Sequence, residues 1–84
     1  MSYSELFAMR IRQLCTKHGI TINKLATLSG LKQSTIDNII RGTSKNLKVK
    51  TLHRIANTFN MTLSEFLDFP ELNDFSFDDD NVNI

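Results

Sequence analysis

The stretch Leu25-Ala26-Thr27-Leu28-Ser29-Gly30-Leu31-Lys32-Gln33-Ser34-Thr35-Ile36-Asp37-Asn38-Ile39-Ile40-Arg41-Gly42 decides the fold. Its spacing predicts two short helices joined by a tight turn. Leu25 and Ala26 belong to the inner face of the first, where a side chain as small as Ala26 lets a second helix cross closely. Gly30, four residues on, suits a turn position with positive φ, which a Cβ would penalise. Leu31 then points back into the core, and Ile36 with Ile39 or Ile40 forms the buried stripe of the next helix. Left on the outside are Lys32, Gln33, Ser34, Asp37, Asn38 and Arg41. Apart from Asp37, these are donors and amides of the kinds that read base edges in a DNA groove. The layout is that of a helix-turn-helix.

Outward from this unit the chain continues as helices, five in all and no convincing strand. Ser4 is a candidate N-cap for a first helix ending near Lys17, with Phe7, Ile11, Leu14 and His18 recurring on one face beside Ala8 and Cys15. Gly19 stands where a glycine ends a helix. Thr21 caps the second helix, about residues 22–28, with Ile22, Leu25 and Ala26 inward. The third spans about 32–41 and ends at Gly42. A polar, basic loop follows (Thr43, Ser44, Lys45, Asn46). A fourth helix, about 50–59, buries Leu52, Ile55, Ala56 and Phe59, with Val49 packing just ahead of it. Thr62 caps a short fifth helix carrying Leu63, Phe66 and Leu67, and Pro70 stops it.

Eighty-four residues suit one all-α domain with a core just large enough to fold unaided. A lone cysteine, Cys15, rules out an internal disulfide and reads as a small core residue rather than a reactive thiol. No Cys/His cluster has metal spacing, so neither metal nor cofactor is expected. The longest apolar runs are too short to span a bilayer, and no signal-peptide pattern opens the sequence, so a cytoplasmic setting without membrane contact is expected. Enzyme readings lack a Gly-rich phosphate loop, a Ser/His/Asp set and a carboxylate pair in the basic part. His18 is most simply a helix-end residue, favourable to the C-terminal dipole when charged.

The formal net charge of +1 hides an asymmetry. All ten Lys and Arg lie at or before Arg54. Residues 1–67 hold three acids (Glu5, Asp37, Glu65) against those ten, giving +7. Residues 68–84 hold six acids (Asp68, Glu71, Asp74, Asp78, Asp79, Asp80) and no base, giving −6. A basic body with an acidic tail is the composition of a nucleic-acid binder, although a solvated surface has it too. The expected division is a DNA-binding domain over 1–69 and an acidic C-terminal tail over 70–84, flexible or partly docked. Leu72, Phe75, Phe77, Val82 and Ile84 make that tail more apolar than a spacer requires.

The whole series resembles the Cro/CI-type (Xre-like) helix-turn-helix family of phage repressors and bacterial transcriptional regulators. The match covers roughly residues 7–69: Arg10-Ile11-Arg12-x-Leu14, Gly19-Ile20-Thr21, Leu25-Ala26, Gly30-Leu31, Ser34-Thr35-Ile36, Gly42, Thr51-Leu52-x-x-Ile55-Ala56 and Met61-x-Leu63-x-x-Phe66-Leu67. The resemblance implies a lambda-repressor-like five-helix bundle, with the helix-turn-helix in helices 2 and 3 and the third helix in the DNA major groove. It also implies a dimer on a palindromic operator and a repressor of transcription. One short recognition helix spans few base pairs, so two copies about one helical turn apart would supply the missing discrimination.

Carried over position by position, the resemblance gives base contacts to Gln33, Ser34, Asn38 and Lys32. Gln can bond adenine N6 and N7 together, and Lys32 could reach guanine or a phosphate. Phosphate contacts fall to Thr35, Arg41, Thr43, Ser44, Lys45, Asn46, Lys48 and Lys50, the last two at the mouth of the fourth helix. Each has a plainer alternative: Ser34 and Thr35 as first-turn residues satisfying backbone donors, Asn38 and the lysines as ordinary surface.

Three departures stand out. Ile22 replaces the usual Gln, so its phosphate contact is lost or passes to Asn23 or Lys24, or Ile22 serves packing. Lys32 replaces a Ser or Thr cap. Leu47 replaces a loop proline, a loss of about 0.4–1 kcal/mol through the unfolded chain; it either packs or belongs to a partner surface. The competing class is a protein-interaction module on the same fold, such as an antitoxin whose acidic tail covers a protein partner. A tail that screens the basic face and inhibits binding is a third reading.

Overall fold

The structure, a computed structural model, describes residues 1–76. Within them the chain is all helical: α1 (Tyr3–His18), α2 (Ile22–Ser29), α3 (Gln33–Ile40), α4 (Val49–Thr58), α5 (Leu63–Leu67) and α6 (Pro70–Asn73). The expectations attached to Phe77, Val82, Ile84 and the acids Asp78 to Asp80 lie outside the described residues.

The cap of α1 is Ser2, not Ser4. Glu5 N–H donates to Ser2 Oγ at 3.2 Å, and Ser2 N–H donates to Glu5 Oε1 at 3.0 Å. Such a reciprocal box needs Glu or Gln three residues after the cap. Glu5 stands there for Ser2, whereas Ser4 has Phe7 in that place. Ser4 therefore enters the first turn and is buried. At the far end, Ile20 N–H reaches Cys15 C=O at 3.0 Å and Gly19 N–H reaches Thr16 C=O at 3.3 Å, closing α1 by the expected glycine stop.

Thr21 caps α2 through Lys24 N–H at 3.0 Å, and Thr62 caps α5 in a second reciprocal box with Glu65. The turn between α2 and α3 places Gly30 at φ +72, where a side chain would be strained. Two boundaries differ from expectation. Val49 is the first residue of α4 and 65% exposed rather than packed ahead of it. Pro70 opens α6 instead of only ending α5, which makes six helices rather than five. A proline is at ease at the first helical position, where the N–H it lacks would have no partner anyway.

The core runs through all the major helices: Leu6, Phe7, Ile11 and Leu14 of α1, Leu25 and Ala26 of α2, Ile36 and Ile39 of α3, Leu52, Ile55 and Ala56 of α4, then Phe59, Phe66 and Phe69. Of the two alternatives in α3, Ile39 is buried and Ile40 half-buried. α3 packs chiefly on α1, and α2 on α4. Ile22 and Leu47 both lie partly buried against this core, so each serves packing. Cys15 is buried, and that burial pushes its thiol pKa up, opposed by the nearby Arg12 charge. His18 is exposed at the end of α1, its ring 5.1 Å from that of Phe59.

Behind α1 sits an aromatic cluster. Phe7 stacks on Phe66 at 6.0 Å and meets Phe69 edge-on at 5.9 Å. Arg10 clamps it: Nε donates to Phe66 C=O and Nη2 to Glu65 C=O, both at 3.1 Å, with the guanidinium 5.1 Å from the Phe69 ring. These bonds add a donor to carbonyls at the end of α5; that of Glu65 also accepts the Asp68 N–H at 3.3 Å. The chain then returns to α1 through α6, and Phe75 meets Tyr3 edge-on at 4.9 Å. Through these contacts Phe75 and α6 lie against α1.

Candidate nucleic-acid interface

The outer row of α3 follows from its inner one. Ile36 and Ile39 are almost wholly buried, which fixes the helix rotation and leaves Gln33, Ser34 and Asn38 exposed, with Lys32 beside them. Thr35 and Asp37 are half-buried at the flanks. None of the four expected base-contacting side chains is turned into the bundle.

Gln33 has a neighbour that the sequence already contained four residues away. Its Nε2 donates to Asp37 Oδ1 at 2.9 Å. The bond fixes the amide plane and leaves one amide hydrogen and the carbonyl oxygen, which is the donor–acceptor pair needed for adenine N7 and N6. Asp37 thus has a positioning part that its charge alone did not suggest.

The expected phosphate residues do not share one place. Thr35, Ser44, Asn46 and Lys48 come together around one small hollow of about 170 Å³ between α3 and α4. Thr51, in the first turn of α4, joins them there. It was absent from the expected contacts, although a hydroxyl three residues after Lys48 was a usable signal. Lys45 lies apart, in the cleft between the post-α3 loop and the start of α1. Arg41 turns toward α1, beside Glu5 and Arg12. Lys50 borders a different hollow with His53 and Arg54, and Asn23 is exposed on α2.

Thr43 is committed elsewhere. Its hydroxyl donates to Asn38 C=O at 3.1 Å and its N–H to the same oxygen at 3.0 Å, closing the end of α3. A hydroxyl has one proton, so giving it to a phosphate would leave only the backbone N–H on the Asn38 carbonyl. The preceding Gly42 holds φ +73, and a Cβ there would lie 2.9 Å from Glu5 Cγ. That close approach ties the loop to the first turn of α1.

Two helix starts on this side carry no side-chain cap. Lys32 and Lys48 occupy the N-cap positions of α3 and α4 without bonding the first-turn N–H groups. Unpaired N–H donors next to a fixed cation favour an anion. Among the described residues no group of three or more His, Cys, Asp or Glu is placed to hold a metal ion, and no helix is long and apolar enough to cross a membrane.

Comparison with known proteins agrees with this geometry. The chain is 29% identical over 59 residues, 70% of its length and 80% of the relative's, to the SPbeta prophage-derived HTH-type transcriptional regulator YopS of Bacillus subtilis. Among solved structures it is similar to prophage Lp1 protein 11, with a TM-score of 0.79 and 33% identity across 89% of this chain and all of that one. It is also similar to the restriction-modification controller protein C.AhdI of Aeromonas hydrophila, with a TM-score of 0.64 and 30% identity across 71% of this chain and 89% of that one. The family model for the Cro/C1-type HTH DNA-binding domain matches residues 10–71, and the chain belongs to that family.

Proposed function

We propose that this DNA-binding transcriptional regulator is a sequence-specific repressor, acting in the cytoplasm as a homodimer on a palindromic operator. The DNA-binding unit is residues 1–69, and residues 70–84 are its acidic extension. The observation that carries the reading is the outer row of α3, where Gln33, Ser34 and Asn38 stand exposed while Ile36 and Ile39 anchor the helix. In this arrangement α3 lies in the major groove, and Gln33, held by Asp37, reads an adenine. Asn38, Ser34 and Lys32 meet neighbouring base edges. The hollow lined by Thr35, Ser44, Asn46 and Lys48 takes one phosphate, and Lys50, Arg41, Lys45 and Asn23 flank the backbone on either side. Thr43 holds the loop that presents them.

Two copies on half-sites about one helical turn apart give the affinity that a single short helix lacks. The likeness to a prophage-derived transcriptional regulator and to a restriction-modification controller supports a role in regulating transcription. Occupancy of the operator would block polymerase. Selection of bound duplexes from a random pool tests the reading. Enriched sequences with two-fold symmetry are expected; enrichment of a single unsymmetrical site, or of none, overturns the dimeric repressor.

A further inference from the structure

The cleft beside Lys45 is larger than a phosphate needs. It encloses about 640 Å³ between the start of α1 and the post-α3 loop. Tyr3, Phe7, Leu47 and Leu52 form its apolar wall, and Lys45 adds a cation. Ser4 also lines it, 3% exposed, and its Oγ has no hydrogen-bond partner among the described residues. A buried hydroxyl without a partner inside an apolar cleft asks for an occupant that brings an acceptor.

We propose that the occupant is this chain's own segment 77–84, with Phe77 against the apolar wall and Asp78 to Asp80 against Lys45 and the loop 43–46. The tail then competes with the DNA backbone for that loop. Position supports this first. Phe75 sits ring to ring with Tyr3 at 4.9 Å, and Tyr3 is part of the cleft wall, so the chain leaves the described residues at the rim. An extended chain advances about 3.3–3.6 Å per residue, which brings Phe77 within about 7 Å of Phe75 and Asp80 within about 18 Å.

Chemistry supports it second. The segment supplies an aromatic ring, three successive carboxylates, then Val82 and Ile84. The cleft offers an apolar wall, a cation and a hydroxyl in need of an acceptor, which a carbonyl or carboxylate of the segment provides. The part of the inference that concerns DNA rests on the proposed phosphate role of the loop 43–46; the docking itself does not.

The full-length chain labelled with ¹⁵N, without DNA, tests the docking. Phe77→Ser, and separately the triple variant Asp78→Asn, Asp79→Asn, Asp80→Asn, are expected to move the amide resonances of Ser4, Thr43, Ser44 and Lys45. Those of α4 and α5 should stay. Unmoved resonances at Ser4 and Lys45 in both variants overturn the proposal. Shifts at these amides that grow with protein concentration in the wild type place a second copy's tail in the cleft and overturn it in this form. With duplex added, Phe77→Ser keeps the net charge yet is expected to raise affinity for random-sequence DNA several-fold. Affinity that rises only in the triple variant would reduce the tail to a diffuse charge effect and overturn the competition. A chain that shows the shifts but binds no duplex would overturn the regulator reading and leave the docking standing.

Discussion

The helix starts on the two sides of the bundle are finished differently. α1 and α5 begin at Ser2 and Thr62, each in a reciprocal box with the glutamate three residues on, and Arg10 closes the end of α5 against α1. On the other side, α3 and α4 begin at Lys32 and Lys48, and neither side chain satisfies a first-turn N–H. A Ser or Thr in either place would stabilise the fold by about 1 kcal/mol. α1 and α5, the rear pair, are therefore finished internally, whereas α3 and α4, the front pair, leave donors and cations open to an anion from outside. Stability is forgone where the proposed ligand is to bind, and the aromatic cluster behind α1 supplies it.

The comparison can be broken most severely from the rear. Phe66→Ala removes a fully buried ring that stacks on Phe7 and lies 6.0 Å from the Arg10 guanidinium, and is expected to destabilise by about 3–5 kcal/mol. Urea titration followed by circular dichroism measures it. A loss below that of an ordinary surface substitution would mean that the cluster is not what holds the bundle.

Gln33→Ala touches only the front. Specific binding should weaken by about 1–3 kcal/mol with relaxed preference at one base, while the unfolding midpoint stays near wild type. An unchanged ratio of specific to random-sequence binding would take Gln33 out of the readout.

Thr62→Ala opens the α5 box and should cost about 1 kcal/mol. The partner side of that box gives a pH dependence of known sign. Bonds from Thr62 backbone and hydroxyl lower the Glu65 pKa in the folded chain, so its contribution is complete above the unfolded value, about 4.3, and is lost as pH falls through the lowered one. Acid unfolding of Thr62→Ala should accordingly be less steep than that of wild type. Parallel acid limbs would show that the box does not govern Glu65.

The gentlest change is the sharpest for the comparison. Lys32→Ser installs at the front the cap found at the rear, and should raise stability by about 0.5–1 kcal/mol while weakening duplex binding. A gain in stability with undiminished binding would show that nothing is exchanged at that position.

Much of this was legible in the chain. The α2–turn–α3 unit follows from Gly30 and the spacing of Leu25, Ala26, Ile36 and Ile39, because core burial fixes helix rotation and rotation fixes the outer row. The stop at Gly19 and the caps Thr21 and Thr62 follow from local chemistry in the same way. What escaped involved choices between neighbours or bonds between distant parts. Ser2 and Ser4 are equal as caps until Glu5 is counted from each. Pro70 can end one helix or start another, and the burial of Phe69 against Phe7 decides it. The Gln33–Asp37 pair was within reach of a four-residue spacing rule. The closure made by Thr43 was within reach too, since a glycine stop at Gly42 returns the next N–H to Asn38 C=O and its own to Ile39 C=O.

The burial of Ile36 and Ile39 beneath an otherwise solvent-facing helix bears on how such a chain changes over generations. The side chains of Gln33, Ser34 and Asn38 make no hydrogen bond beyond their own helix among the described residues. If these side chains read bases as proposed, mutations there would alter target preference without eroding the scaffold. A lineage can then exchange one address for another through viable intermediates, while the two isoleucines stay put.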